Sequence, residues 1–344
     1  MRSSWKASGA LLGILSLAGC GGGPLEGPRS SAADPSTATG LGFLGVGGGD
    51  PKGFARALAP RPFEFPADYG SHPTFRTEWW YFTGNVFDSA GRHYGFELTF
   101  FRYALAPAPP ESASRWATNQ VWMAHFAVTD TQGGRLLAEQ RLSRGALGLA
   151  GAQASPFRVW VEDWSAAAED QGFHLHARGD QASLDLHLDP LTPPIANGDR
   201  GLDRKGPEPG NASYYYSVPK LAVSGTIAAG DKPDSVHGFA WIDREWSTSA
   251  LSKGDVGWDW FALQLADGRE IMFYRLRRRN GSASPFSGGS LIDAGGQRLS
   301  LDESDVQLEP LEYWTSNKSG ARYPVAWRVS IPKQALTLTV RPYL

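Results

Sequence analysis

Residues 236–247 read Val-His-Gly-Phe-Ala-Trp-Ile-Asp-Arg-Glu-Trp-Ser, and after a short polar insert residues 256–279 continue VGWDWFALQLADGREIMFYRLRRR. Apolar and polar residues alternate through both halves, which predicts β-strand with side chains two apart on one face. Trp241, Asp243 and Glu245 then share one face, and Ile242, Arg244 and Trp246 the other. Trp258 and Trp260 share a face, with Asp259 opposite. Carboxylates are seldom fully buried unless paired, and each tryptophan buries a large area. Acids set among tryptophans predict either a ligand cavity with a few polar anchors or a core whose acids are paired with Arg244.

The flanking chain repeats the β pattern. Phe75–Val86, with the run Glu78-Trp79-Trp80-Tyr81-Phe82, turns at Asp88-Ser89-Ala90-Gly91 into a second strand over Tyr94–Tyr103. Further strands are expected at Gln120–Thr129, Leu136–Ser143, Arg158–Glu162, Gly172–Arg178, Ala182–Leu188, Leu221–Ile227, Tyr323–Ile331 and Leu336–Val340. No helical period separates them, so the fold class is all-β, an antiparallel barrel or sandwich. Residues 189–212 are rich in Pro, Gly, Asn and Asp and mark the expected interior boundary. A weak repeat crosses it. Glu78-Trp79, an Asp88…Gly91-Arg92 turn and Phe100-Phe101-Arg102 are echoed by Glu245-Trp246, Asp267-Gly268-Arg269 and Phe273-Tyr274-Arg275. The expected division is a β domain at 60–195 and a second at 213–344.

The N-terminus reads as an export signal over residues 1–19, with Arg2 and Lys6, a short apolar core, and Leu17-Ala18-Gly19-Cys20. That core is too short to span a bilayer. The tetrapeptide resembles a bacterial lipobox, and Cys20 is the single cysteine of the chain. Lipidation of Cys20 would hold the protein on a membrane surface, by default the outer membrane facing the periplasm. One cysteine excludes an internal disulfide. Residues 20–59, mostly Gly, Pro, Ser and Ala, are expected to form a flexible tether. With 33 basic and 35 acidic residues in 344, the chain carries no electrostatic footprint for nucleic acid.

Four ordered motifs resemble the AttH/CrtC family, the lipocalin-like group that contains carotenoid 1,2-hydratase and bacterial proteins called predicted secreted hydrolases. They are Arg76-Thr77-Glu78-Trp79-Trp80-Tyr81-Phe82-Thr83-Gly84, Tyr215-Tyr216-Ser217, Gly238–Trp246 and Gly257-Trp258-Asp259-Trp260-Phe261. The resemblance spans about residues 60–340 and implies two tandem lipocalin-like antiparallel β-barrels, with a ligand site in or between them. It also implies strands beyond the Pro342 region, so the second barrel is expected either to carry an exposed edge or to take the missing strand from a partner. The family's hydratases depend on an aspartate with histidine, tryptophan and tyrosine neighbours, and Asp243, His237 and Trp241 fall in the matching motif.

The chemistry open to these residues is acid–base work on an apolar substrate. Hydrating an isolated alkene needs an acid that protonates carbon and water delivered to the resulting cation. A carboxyl desolvated among tryptophans stays protonated near neutrality, and aromatic faces stabilise a cation. Asp243 is the first candidate for the acid, with Glu245, Asp259 or His237 orienting water. Trp241, Trp258, Trp260, Tyr216 and Trp80 would wall the site, and Glu78 is read as a wall residue or as the partner of Arg76. The competing reading, adopted as the main one, is an anchored carrier of a lipid or isoprenoid-like molecule that needs no ionisable group in its cavity. A third is an envelope scaffold. No cofactor motif is present, and no Gly-x-Ser-x-Gly elbow. His174 and His176 would share a strand face near His187, but no third metal ligand is visible beside them, so no metal is assigned.

Overall fold

A computed structural model describes residues 52–344 apart from 250, 253 and 318. The signal segment, Cys20 and the tether up to residue 51 lie outside the described residues. The chain forms β1 (Thr77–Asp88), β2 (His93–Ala104), β3 (Gln120–Asp130), β4 (Arg135–Arg144), β5 (Ala150–Ala154), β6 (Phe157–Val161), β7 (Trp164–Glu169), β8 (Gly172–Arg178) and β9 (Ala182–Pro190). Two short strands follow, β10 (Ile195–Ala196) and β11 (Leu202–Arg204), then the long β12 (Ala212–Ala229) and β13 (Pro233–Ser247). All thirteen belong to one antiparallel sheet ordered β4-β3-β2-β1-β13-β12-β9-β8-β7-β6-β5, with β10 and β11 on β12. Its ends approach each other. Arg141 of β4 bonds Asp163 and the Arg178 carbonyl, and Glu139 accepts from the Asp180 amide, so the sheet curls into a nearly closed barrel.

The rest of the chain forms two smaller sheets. One holds β14 (Asp255–Gln264), β15 (Glu270–Arg278), β16 (Gly288–Ile292) and β17 (Arg298–Asp302); the other holds β18 (Gln307–Thr315), β19 (Arg322–Ile331) and β20 (Leu336–Val340). They share an apolar core around Phe261, Ile271, Phe273, Trp327 and Ile331. The boundary expected at 189–212 is not where the sheets divide. β12 and β13 pair with β9 and β1, so the division falls between Ser247 and Asp255. The reason is register: β13 lies along β1 from Thr77↔Ser247 to Asp88↔Val236, a pairing between stretches far apart in sequence.

The barrel interior is a packed core of Trp80, Phe82, Phe96, Phe100, Trp122, Phe126, Trp164 and Trp246, with the leucines of β9 opposite. One end is plugged by the segment before β1. Phe63 packs on Tyr216 and Trp246, Trp80 donates its indole N–H to the Tyr69 carbonyl, and Arg244 donates to the Gly70 carbonyl. The last part of the expected tether joins this plug. The Ala55 amide bonds the Thr74 carbonyl, Thr248 donates to the Ala55 carbonyl, and Ala57 is buried in the barrel core. Ordered structure therefore begins inside the stretch expected to be tether. Backbone hydrogen bonds to distant segments fix residues that offer little apolar surface of their own.

Candidate active site

The face assignment read from the alternation of residues 241–246 holds. Ile242 and Trp246 are in the barrel core, while Trp241 packs on the other face against Met272, Tyr274 and Leu276 of β15. Successive pairings then set residues side by side on that outer face. Ser217, Asp243, Tyr81, Thr99 and His125 form one row across β12, β13, β1, β2 and β3. The row on one side contains Trp241, Thr83 and Glu97, and the row on the other contains Tyr215, Glu245, Trp79, Phe101 and Met123. Strands β14 and β15 cover these rows. Trp258 and Trp79 both pack against the Phe101–Met123 pair, and the Trp260 ring meets Tyr81 edge-on at 5.3 Å. Trp79, Tyr81, Glu97, His125, Trp258 and Trp260 all keep partial solvent access along this seam between barrel and second sheet.

Asp243 is buried and held by neutral donors. Ser217 donates to its Oδ1 at 2.5 Å and the Trp241 indole N–H at 2.8 Å, and the Tyr215 hydroxyl also bonds it. Burial pushes its carboxyl up to about 6, although these donors and the Lys205 ammonium pull the other way. Glu245 is likewise raised by burial, to about 7, against the attraction of Lys205 at 3.5 Å. Lys205 itself bridges to Asp203 at 2.5 Å and lies over the Tyr274 ring. Burial lowers its affinity for the proton, but Asp203 and Glu245 outweigh that and keep it charged. Glu97 is also pushed up to about 7 by burial, with the Thr99 hydroxyl as a donor at 3.0 Å. Burial lowers the His125 imidazole, and its Nε2 is buried with no hydrogen-bond partner among the described residues. A protonatable acid therefore sits two strands across and two residues along from a second one, a separation of about 12 Å between backbones.

Other expected site residues lie elsewhere. Asp259 is on the far face of β14 from the tryptophans and is bound by Arg275 at 2.7 Å and Arg277 at 3.4 Å, a partly buried ion-pair cluster. His237 is on the same strand and face as Asp243 but six residues away, roughly 20 Å along the strand, and exposed. Trp80 and Tyr216 point into the packed barrel core, so they line no ligand site. Glu78 is fully buried there, and its partners are Arg102 and Arg244, the latter at 2.5 Å, in place of Arg76. Burial opposes its ionisation, yet the two guanidiniums and His72 hold the carboxyl well below the usual carboxylate range. Arg244 also stacks 3.8 Å over Trp80. This cluster resolves the choice left by the sequence: Arg244 serves Glu78 on the inner face, which leaves Asp243 on the outer face free of it.

Glu97, His125, Tyr81 and Lys205 are members the sequence reading missed. Glu97 carried a signal, since it interrupts the apolar run Tyr94–Phe101 at a position alternating with Phe96 and Leu98. Nothing local links it to Asp243.

A family model described as AttH-like matches residues 56–344. A crystal structure of a provisionally assigned AttH from Nitrosomonas europaea superposes with a TM-score of 0.73 and 34% identity, covering 81% of this chain and 84% of that one. The structure of kievitone hydratase from Nectria haematococca superposes with a TM-score of 0.56 at 13% identity over 81% of this chain and 82% of that one, which speaks for the fold alone. In sequence, a kievitone hydratase of Fusarium solani subsp. phaseoli is 24% identical over 170 residues, covering 45% of this chain and 44% of that protein. The dehydratase asqC of Emericella nidulans is 22% identical over 166 residues, 46% of each. The matches thus span about half the length of these curated relatives. They are distant, and both are named for adding or removing water.

Proposed function

The chain belongs to the AttH-like family, and from that premise we propose that it is a hydratase- or dehydratase-type enzyme acting on an apolar substrate at the seam between the barrel and the β14–β15 sheet. This prefers the alternative named above to the carrier reading, because the distant relatives carry hydratase and dehydratase names and the barrel interior is filled with side chains. The observation that carries it is Asp243: a buried carboxyl bonded to a serine hydroxyl, an indole and a phenol, facing an aromatic wall. A carboxyl raised to about 6 is a strong enough acid to release a proton and remains partly protonated near neutrality.

In the hydration direction Asp243 transfers its proton to the less substituted alkene carbon, and the positive charge develops on the other. Trp260, Tyr81 and Trp241 present π-faces and edges around that cation. Water adds to the cation, and its surplus proton passes to Glu97 or to the free Nε2 of His125. The alkene and one water are consumed, one alcohol is formed, and the proton lost by Asp243 returns through solvent. Dehydration runs the same steps backwards. An isoprenoid or carotenoid-like alkene is the substrate class we infer, since the wall is apolar and aromatic.

The test is incubation of the purified protein with a panel of isoprenoid alkenes in ¹⁸O-labelled water. A product heavier by one labelled water, abolished by Asp243→Asn, is expected. An unchanged apolar molecule that co-purifies equally with wild type and Asp243→Asn, with no labelled product, would establish the carrier instead. We also propose that Cys20 is lipidated and holds the enzyme on a membrane surface, on the strength of the Leu17–Cys20 tetrapeptide. Palmitate labelling lost in Cys20→Ser tests this.

A further inference from the structure

Three of the chain's seven histidines lie on two adjacent strands of the barrel's outer face, far from Asp243. His174 of β8 stands directly opposite His187 of β9, and His176 directly opposite Asp185. The four side chains form a square on one face, since residues two apart on a strand point the same way. The rings of His174 and His187 are stacked, with centroids 5.0 Å apart and planes 28° from parallel. Asp185 accepts from His174 Nε2 at 3.0 Å through one oxygen and from His176 Nδ1 at 2.9 Å through the other. Glu169, at the end of β7, bonds Nδ1 of His187.

We propose that this square is a binding site for a divalent transition cation of the zinc class, with His174, Asp185 and His187 as the protein ligands. One ligand atom from each lies within 4.8 Å of the others. Tetrahedral zinc with bonds of about 2.0–2.1 Å needs its ligand atoms roughly 3.4 Å apart. Partly exposed side chains cover that difference by small rotations, and side-chain exposures of 30%, 49% and 48% leave the three free to make them. Two imidazoles and one carboxylate suit zinc, and this set leaves a fourth position for water. The surroundings supply what such ligands require. Glu169 occupies Nδ1 of His187 and so fixes its orientation and leaves Nε2 as the free nitrogen, the carboxylate–histidine arrangement seen behind metal-bound imidazoles. His176 steadies the second oxygen of Asp185. On binding, the cation takes the place of the proton that His174 Nε2 presents to Asp185, and that proton leaves to solvent.

The sequence hid the third ligand because Asp185 follows His176 by nine residues across a hairpin, and only the register sets it beside both histidines. The same register gives a control. His187 pairs with Ser224, and Ser224 with His237, so His237 lies in the row of His174 and His187 but two strands from the latter, about 9.5 Å away.

The test is titration of the tag-free, chelator-treated protein with Zn²⁺ in competition with a chromophoric chelator, and with Co²⁺ followed by its visible absorption. One equivalent per chain is expected, with a four-coordinate cobalt spectrum. His174→Ala, Asp185→Asn and His187→Ala should each weaken Zn²⁺ binding at least tenfold, and Glu169→Gln roughly tenfold. His237→Ala should bind as wild type. These positions are on an exposed face, so circular dichroism should show every variant folded. The proposal is overturned if wild type takes up no Zn²⁺ at 100-fold excess, or if His174→Ala and His187→Ala bind one equivalent as tightly as wild type.

Discussion

Asp243→Asn tests the buried acid without reference to any substrate. Asparagine keeps the shape and the Oδ1 acceptor for Ser217 and Trp241, and removes the ionisation. In the folded protein the carboxyl titrates near 6, raised by burial from 3.8, the value expected for the unfolded chain. Between those values the native state binds more protons than the unfolded state, so stability falls as pH rises through the window and stays at the lower level above about 6. At about 1.4 kcal/mol per tenfold shift the whole effect is about 3 kcal/mol. About 2.5 kcal/mol of it develops between pH 4 and pH 8, because much of the unfolded population is already ionised at pH 4. The Asn variant has no such loss. Its stability relative to wild type should therefore swing in its favour by about 2.5 kcal/mol between the two pH values, whatever fixed cost the altered hydrogen bonds carry. Urea unfolding followed by tryptophan fluorescence reads this directly. With an m-value of about 2.5 kcal/mol/M, the midpoint difference should move by about 1 M. A midpoint difference equal at pH 4 and pH 8 would mean that the carboxyl is solvated, and the acid role of Asp243 would fall with it.

Turnover of wild type should decline as pH rises through about 6 to 7, because the acid must be protonated, and a pH–rate profile in the free-enzyme regime checks this. Glu97→Gln should lower kcat at least tenfold while raising stability at pH 8, since it removes another buried, raised carboxyl; kinetics and urea midpoints together separate this from a folding defect. Arg244→Met should cost about 3–5 kcal/mol, because it strips Glu78 of one of two guanidiniums inside the core, and calorimetry would show it as a lowered Tm. Asp259→Asn should leave kcat within about twofold of wild type and cost about 1–3 kcal/mol of stability, as expected on weakening hydrogen bonds to a charged group in a partly buried pair. A large loss of turnover there would return Asp259 to the site.

How much was legible depended on the range over which each interaction acts. A two-residue period is local, so the sequence alone determined that 75–103, 120–143 and 236–279 are strands, that the fold is all-β, and that Asp243 shares a face with Trp241 and Glu245 against Arg244. The resemblance carried by the Glu-Trp-Trp-Tyr and Trp-Ile-Asp-Arg-Glu-Trp motifs reached the family for the same reason, since each is a contiguous stretch. What meets those faces is a property of pairing between distant strands. Arg244 closes on Glu78, 166 residues earlier, and so leaves Asp243 unpinned. His125 reaches the row of Asp243, and Glu97 the row beside it, only because β13 inserts beside β1 and thereby stays in the barrel, which also moved the sheet boundary past Ser247. The alternation of a strand states which side chains travel together. Only the tertiary register, set by which apolar faces bury each other, decides what they face.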